Sequence, residues 1–371
     1  MRITERGTVY SGKDTPKYSS CSFPSICKLS NGTLIASFRG AARKTPDNAT
    51  DRGCTLFSYD KGKTWTDPVE LFDPPVVDGK KTTLRTIYYC EVGKNDLLCV
   101  FNAVDATLED LPYYNEKTEG LKETYIMFSH SHDNGKTWDK PKRIQVGKFY
   151  DCPLPLTGVP IITPSGRICI QFEVNKHYFD EKYWVHHSCA VFSDDGGYSW
   201  GNETVITDSK TVYFWDQRIS AVSDGRICDV FWTFDRDKGD YVNIHYAESK
   251  DDGKTFGQPV DTGLVGQPGN VIEGKDGSLL LIYIDRTVSP VIRIAKKTGD
   301  SPWKVVLTVF DFVSRDFKKK NAGMNDVWRE MGNFNIGHPF ITRIGEDELM
   351  AYFYCGPSTN RTDFLYVKIK E

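Results

Sequence analysis

The chain has 371 residues, of which 47 are basic and 50 acidic, and its net charge of −3 is spread without long runs of either sign. That balance leaves no basic stripe to follow a nucleic-acid backbone, and no stretch of about 18 apolar residues is present to span a bilayer as a helix. Hydrophobic residues make up 39% and aromatics 13%, material for a large core that favours strands, so an all-β globule is the first expectation.

In chain order, the N-terminal ITERGTVYS reads as a strand and lacks the apolar centre of an export signal. Ten cysteines follow, mostly inside apolar runs such as RICIQF and RICDVF and never in CxxC spacing. They read as buried reduced thiols and point to a cytoplasmic protein, with a removed signal peptide as the open alternative.

Two patterns then alternate. One is an apolar run, a tight polar turn and a second apolar run: FPSICKLSNGTLIASF, YYCEVGKNDLLCVF, VPIITPSGRICIQF, RISAVSDGRICDVF, NVIEGKDGSLLLIY and PFITRIGEDELMAYF, six in all. The other is S-x-D-x-G-x-[ST]-[WF], at Ser58–Trp65, Ser131–Trp138, Ser193–Trp200 and Ser249–Phe256, with a decayed copy at Lys296–Trp303. Ser and Asp side chains in such a segment bond turn amides, Gly supplies a positive φ, and the aromatic packs beside the next strand. Each unit therefore predicts an inner A–B hairpin followed by a C–D hairpin turned by the box. Six such units form a six-bladed β-propeller of four-stranded antiparallel blades, expected to occupy residues 1–371 as a single domain. Ring closure requires the chain ends to share a blade, and the C-terminal DFLYVKIKE is the second strand candidate for it.

Repeated Asp boxes at this spacing resemble the sialidase superfamily of glycoside hydrolases over essentially the whole chain. In a propeller so wired, the A–B and C–D turns lie on one face. The starts of A, the ends of B and the starts of C open on the other, where chemistry is expected. The resemblance implies an Asp acid/base before the first box, a Tyr nucleophile on the last inner strand assisted by a Glu, and three Arg around a sugar carboxylate. Asp51 falls at the acid/base position. Asp216 stands where the family has its Glu and His338 where it has its Tyr, while Ser22 and Trp232 replace two of the arginines. Glu173, ending strand B of the third blade, is a further carboxylate, either catalytic or salt-bridged to an Arg such as Arg85.

The remaining polar positions of this face, Arg39, Arg43, Arg85, Gln217, Asp235, Gln267, Arg286, His177 and Tyr354, are candidates for substrate contact. Trp215, with Tyr213, Phe214, Tyr178, Tyr183 and Trp184, reads as a sugar-stacking wall or as simple packing. His338 either pairs with Asp216 as an oriented base or binds a hydroxyl. His186–His187 and His130-x-His132 are expected away from the mouth, and no metal or other cofactor is called for. These features imply an exo-acting, sialidase-like glycosidase that removes a terminal sugar, sialic acid or another, from a small oligosaccharide or glycoside by carboxylate acid/base catalysis. A non-catalytic carbohydrate-binding propeller is the alternative. Neither nucleic acid nor membrane is an expected partner, and the oligomeric state is left open.

Overall fold

The computed structural model describes every residue except Asp14, Glu109 and 313–323, together with the side chain of Met324. Six antiparallel sheets are arranged as a β-propeller. Blade 1 runs through strands A Ser20–Lys28, B Leu34–Ala41, C Arg52–Ser58 and D Val69–Glu70. Blade 2 follows with Thr82–Gly93, Asp96–Asp105, Thr124–Ser131 and Lys142–Arg143, and blade 3 with Ile161–Ile162, Ile168–Val174, His187–Ser193 and Gly201–Thr207. Blade 4 is Val212–Ala221, Ile227–Asp235, His245–Ser249 and Val260–Asp261, with the short Asp240–Tyr241 also paired to strand B. Blade 5 is Gln267–Glu273, Leu279–Asp285, Val291–Lys297 and Lys304–Asp311. Blade 6 takes A, B and C from Ile336–Arg343, Glu348–Ser358 and Arg361–Lys370, and its outer strand is the N-terminal Arg2–Tyr10.

The chain ends thus close the ring in one sheet, Arg2 opposite Lys370 and Tyr10 opposite Phe364. The apolar residues of adjacent blades interlock face to face, as Tyr88, Val100 and Ile126 do with Ile170, Phe172 and Val191 between blades 2 and 3. All ten cysteines are unpaired, and eight are buried. Burial pushes Cys27 and Cys54 up to about 12, so these thiols pack as small apolar groups.

The boxes repeat one hydrogen-bond set. In the first, Ser58 Oγ donates to Asp60 Oδ1 at 2.9 Å and accepts from Gly62 N at 2.8 Å, while Thr64 gives Asp60 both its amide (2.9 Å) and its hydroxyl (2.6 Å). Gly62 holds φ 78°, which a side chain would strain. The box of blade 4 also reaches the A–B turn of blade 3, where Asp252 accepts from Ser165 and Arg167. Box turns and A–B turns therefore share one face, and the B–C loops open on the other.

Strand A is bulged in five blades, between Ser22 and Ser25, Leu84 and Ile87, Trp215 and Arg218, Pro268 and Val271, and Gly337 and Phe340. At the first unpaired residue, Phe23, Asp216 and His338 take φ of 53°, 47° and 54°. Left-handed backbone costs a non-glycine residue about 1–2 kcal/mol. Three such residues at one register position mark where the fold re-aims side chains, as bulges near functional sites do.

Candidate functional site at the channel mouth

The bulges bring side chains from different blades together. Tyr88 of blade 2 lies with its hydroxyl 3.3 Å from Nε2 of His338 on blade 6. The Arg218 guanidinium of blade 4 sits 5.3 Å from the ring of Phe340 on blade 6, and Phe23 of blade 1 meets His338 edge to face at 5.5 Å. The Tyr88–His338 and Arg218–Phe340 contacts join blades that are not neighbours, so side chains close the centre of the channel and the mouth is a cup with a floor.

Asp216 belongs to the wall of that cup. Its backbone N–H, freed from the ladder by the bulge, is taken by Glu173 Oε1 at 2.7 Å, which ties blade 4 to strand B of blade 3. Its carboxylate accepts from Gln267 Nε2 and lies 3.6 Å from Arg218, with the side chain still 28% exposed. Gln267 in turn accepts from Arg286 at 2.6 Å, and Arg286 also donates to the carbonyl of Ile336 at 3.0 Å. Behind Glu173, at 3.5 Å, stands His186, packed among Tyr213, Trp215 and Trp184. His186 was expected away from the mouth; its place in the sequence, just before strand C, belongs to the open face after all.

Burial, then Arg218 and Lys44, drive His338 well below the ordinary histidine range, so the imidazole is neutral at pH 7. Its hydrogen-bond partner is the Tyr88 hydroxyl, so of the two roles open to His338 the pairing with Asp216 is not formed. Tyr88 is fully buried, and burial raises its pKa, which leaves it a hydrogen-bonding group in the floor.

Asp51 is placed differently from expectation. Its carboxylate is buried against Arg39 and accepts the N–H of Asn48, and its contacts do not include Asp216 or His338. The reason is Asp47. Asp47 is buried between Arg39 at 3.2 Å and Arg85 at 2.5 Å, and two carboxylates with two guanidiniums pin the whole B–C loop of blade 1. Burial opposes charge on Asp47, but Arg85, Arg39 and Lys122 outweigh it and hold its pKa low; for Asp51, burial prevails over Arg39 and raises it. Arg85 therefore bridges to Asp47 and not to Glu173, and its guanidinium lies between the rings of Tyr113 (4.0 Å) and Phe23 (4.9 Å).

Several other candidates have structural occupations. Gln217 is fully buried and staples blade 4 to blade 3 through the carbonyls of Phe172 and Cys189, both at 2.8 Å. Asp235 closes its own turn on Lys238. His177 pairs with Glu123 at the rim, at 2.7 Å. Arg43 is exposed, whereas its neighbour Lys44 is the buried one, donating to Tyr354 at 3.0 Å and to the carbonyls of Met331 and Phe334. Trp184, Tyr213, Trp215 and Phe234 stack in a row with Trp232 edge-on to Trp215, but Phe214 faces Phe231 and His245, and Tyr183 is exposed. Among the described residues, no group of three or more His, Cys, Asp or Glu is placed to hold a metal ion, and no helix is long and apolar enough to cross a membrane.

Residues 91–310 match the family model described as BNR repeat-like domain. The chain belongs to that family. This BNR repeat-like propeller is similar in fold to a protein of unknown function from Dyadobacter fermentans, with a TM-score of 0.73 and 18% identity over 100% of this chain and 98% of that one. It also resembles a Hadza microbial sialidase, with a TM-score of 0.69 and 15% identity, covering 98% of this chain and 68% of the other. The intramolecular trans-sialidase of Ruminococcus gnavus gives a TM-score of 0.65 at 14% identity, over 98% and 96% of the two chains. No curated protein matches the sequence.

Proposed function

We propose that this propeller is an exo-acting glycosidase that removes a terminal sugar bearing an acidic group, and that Asp216 is the carboxylate facing the reacting carbon. One observation carries the reading. Arg218 lies beside the partly exposed Asp216, Arg286 reaches it through Gln267, and Lys44 shares the ring of Phe334 with Arg286; among the described residues none of the three has a carboxylate partner beyond the one that Arg218 shares with Asp216. Arg286 is lowered to about 10 by burial, and Lys44 is driven well below its usual range by burial and by Arg286, Arg85 and Arg39. An acidic group bound there relieves that cost through charge-assisted hydrogen bonds. Among the described residues the buried Nε of Arg218 and of Arg286 have no hydrogen-bond partner, and they are donors for it. The arginines missing from the expected positions are thus replaced by cations from other elements, and the Ruminococcus gnavus neighbour, whose structure holds oseltamivir carboxylate, fits the same reading.

Asp216 and Glu173 are the carboxylates that divide the acid and base work in this proposal, since glycoside hydrolysis asks for a pair. Asp51 and Asp47 serve the loop. A second reading, binding without hydrolysis, is favoured by the same arginine locks, because they leave the blade 1 side of the cup without an unpaired acid. Initial rates on a panel of aryl glycosides separate the two. An aryl sialoside or aryl uronide should be hydrolysed faster than neutral aryl glycosides by about 100-fold or more. A preference for neutral sugars would overturn the acidic substrate, and saturable binding of an acidic sugar without turnover would leave the lectin reading standing.

A further inference from the structure

The chain leaves blade 5 at Asp311 and re-enters at Ile336 to begin blade 6, neighbouring blades that need only a short link. Between them it forms helix α1, Met324–Asn333, whose contacts lie elsewhere. Trp328 stacks on Tyr114 at 4.7 Å and 9° and lies near Tyr113, both in the B–C connection of blade 2. Asn325 Oδ1 accepts from Tyr114 Oη at 3.0 Å. Val327 is buried with the Trp215, Trp232 and Phe234 cluster of blade 4, against which Met331 also packs. Lys44, from blade 1, donates to the carbonyls of Met331 (2.8 Å) and Phe334 (2.7 Å) at the C-terminal end of α1, the end that favours a cation.

A helix that touches blades 1, 2 and 4 lies across the channel mouth. Ten residues make about 15 Å of helix, a length that is marginal in isolation, so these anchors hold it in place. We infer that α1 roofs the cup and thereby sets the size of substrate, admitting single sugars on small leaving groups and excluding polymer-borne ends. The size limit rests on the glycosidase reading of the mouth; the roof itself does not.

Two measurements separate the proposals. For the acidic sugar that the enzyme hydrolyses best, kcat/KM is compared between its aryl glycoside and the same sugar on a glycoprotein. The wild type should favour the aryl glycoside, and Trp328→Ala and Asn325→Ala should narrow the ratio by about tenfold. A wild type equally active on both, or an unchanged ratio in the variants, overturns the size limit. The second measurement needs no turnover: acylation of His338 by diethyl pyrocarbonate, followed by mass spectrometry, with the exposed His132 and His177 as internal references. His338 should react more slowly than either in the wild type, and about tenfold faster in Trp328→Ala and in Lys44→Met. Equal rates in wild type and variants, with native circular dichroism, would show that α1 does not cover the mouth. If no glycoside is hydrolysed, the glycosidase reading falls, and the His338 rates alone decide whether the roof stands.

Discussion

The two faces of this propeller use carboxylates in opposite ways. On the turn face, Asp60, Asp133, Asp195 and Asp251 are satisfied within their own eight-residue boxes by a Ser and by a Thr or, for Asp195, a second Ser at the same two positions each time. Amide and hydroxyl bonds from Thr137 and Thr255 hold Asp133 and Asp251 at about 2. At the mouth, each acid has a different solution and long-range partners: Arg39 and Arg85 for Asp47, Gln267 and Arg218 for Asp216, the Asp216 amide for Glu173. Repetition marks what the first four blades share in folding; individuality marks what the molecule needs once.

Stability experiments break this comparison most sharply at Asp47. Asp47→Ala strips the half-buried Arg85 of its carboxylate and leaves the buried Arg39 with Asp51 alone, and should cost about 3 kcal/mol, read as a shift in urea midpoint. A loss no larger than that of a surface substitution would show that the loop lock contributes little. Ser193→Ala removes one buried hydroxyl with its two box hydrogen bonds and should cost about 1–2 kcal/mol without changing ligand binding. A binding defect there would contradict the separation of the faces.

Smaller effects sharpen it further. Gln267→Leu keeps bulk but cuts the link between Asp216 and Arg286, so the pH profile of kcat should shift while the melting temperature holds; a change in stability alone would make Gln267 structural. Histidine NMR gives the finest contrast. Asp96 raises His132, whereas burial, Arg218 and Lys44 depress His338. At pH 6, His132 should be largely protonated and His338 neutral. A group depressed in this way disfavours the fold once pH drops below its unfolded value of about 6.5, so His338→Phe should flatten the stability loss between pH 7 and 5.

The repeats made the fold legible, since period-two strands, Gly-bearing turns and Asp boxes are all local signals. The site was less so. Asp216, Glu173 and His338 could be placed by counting from the A–B turns, and the same count reaches Phe23, the third left-handed residue, which had been passed over in favour of Ser22. Asp47 and Lys44 lie in a loop where no periodicity fixes direction, so Asp51 and Arg43, close neighbours in sequence, were chosen in their place. Helix α1 fits no blade pattern, and its function depends on contacts with blades 1, 2 and 4 that only the closed ring brings within reach.

The most direct test of the mouth as a catalytic site is turnover by Asp216→Asn on the best aryl glycoside of the panel, with binding measured in parallel by calorimetry. The substitution keeps shape and the bond from Gln267 through its amide oxygen, while removing the charge. A fall in kcat of about 10²- to 10⁴-fold with native folding and retained binding is expected. Turnover within a few fold of the wild type would contradict the assignment of Asp216.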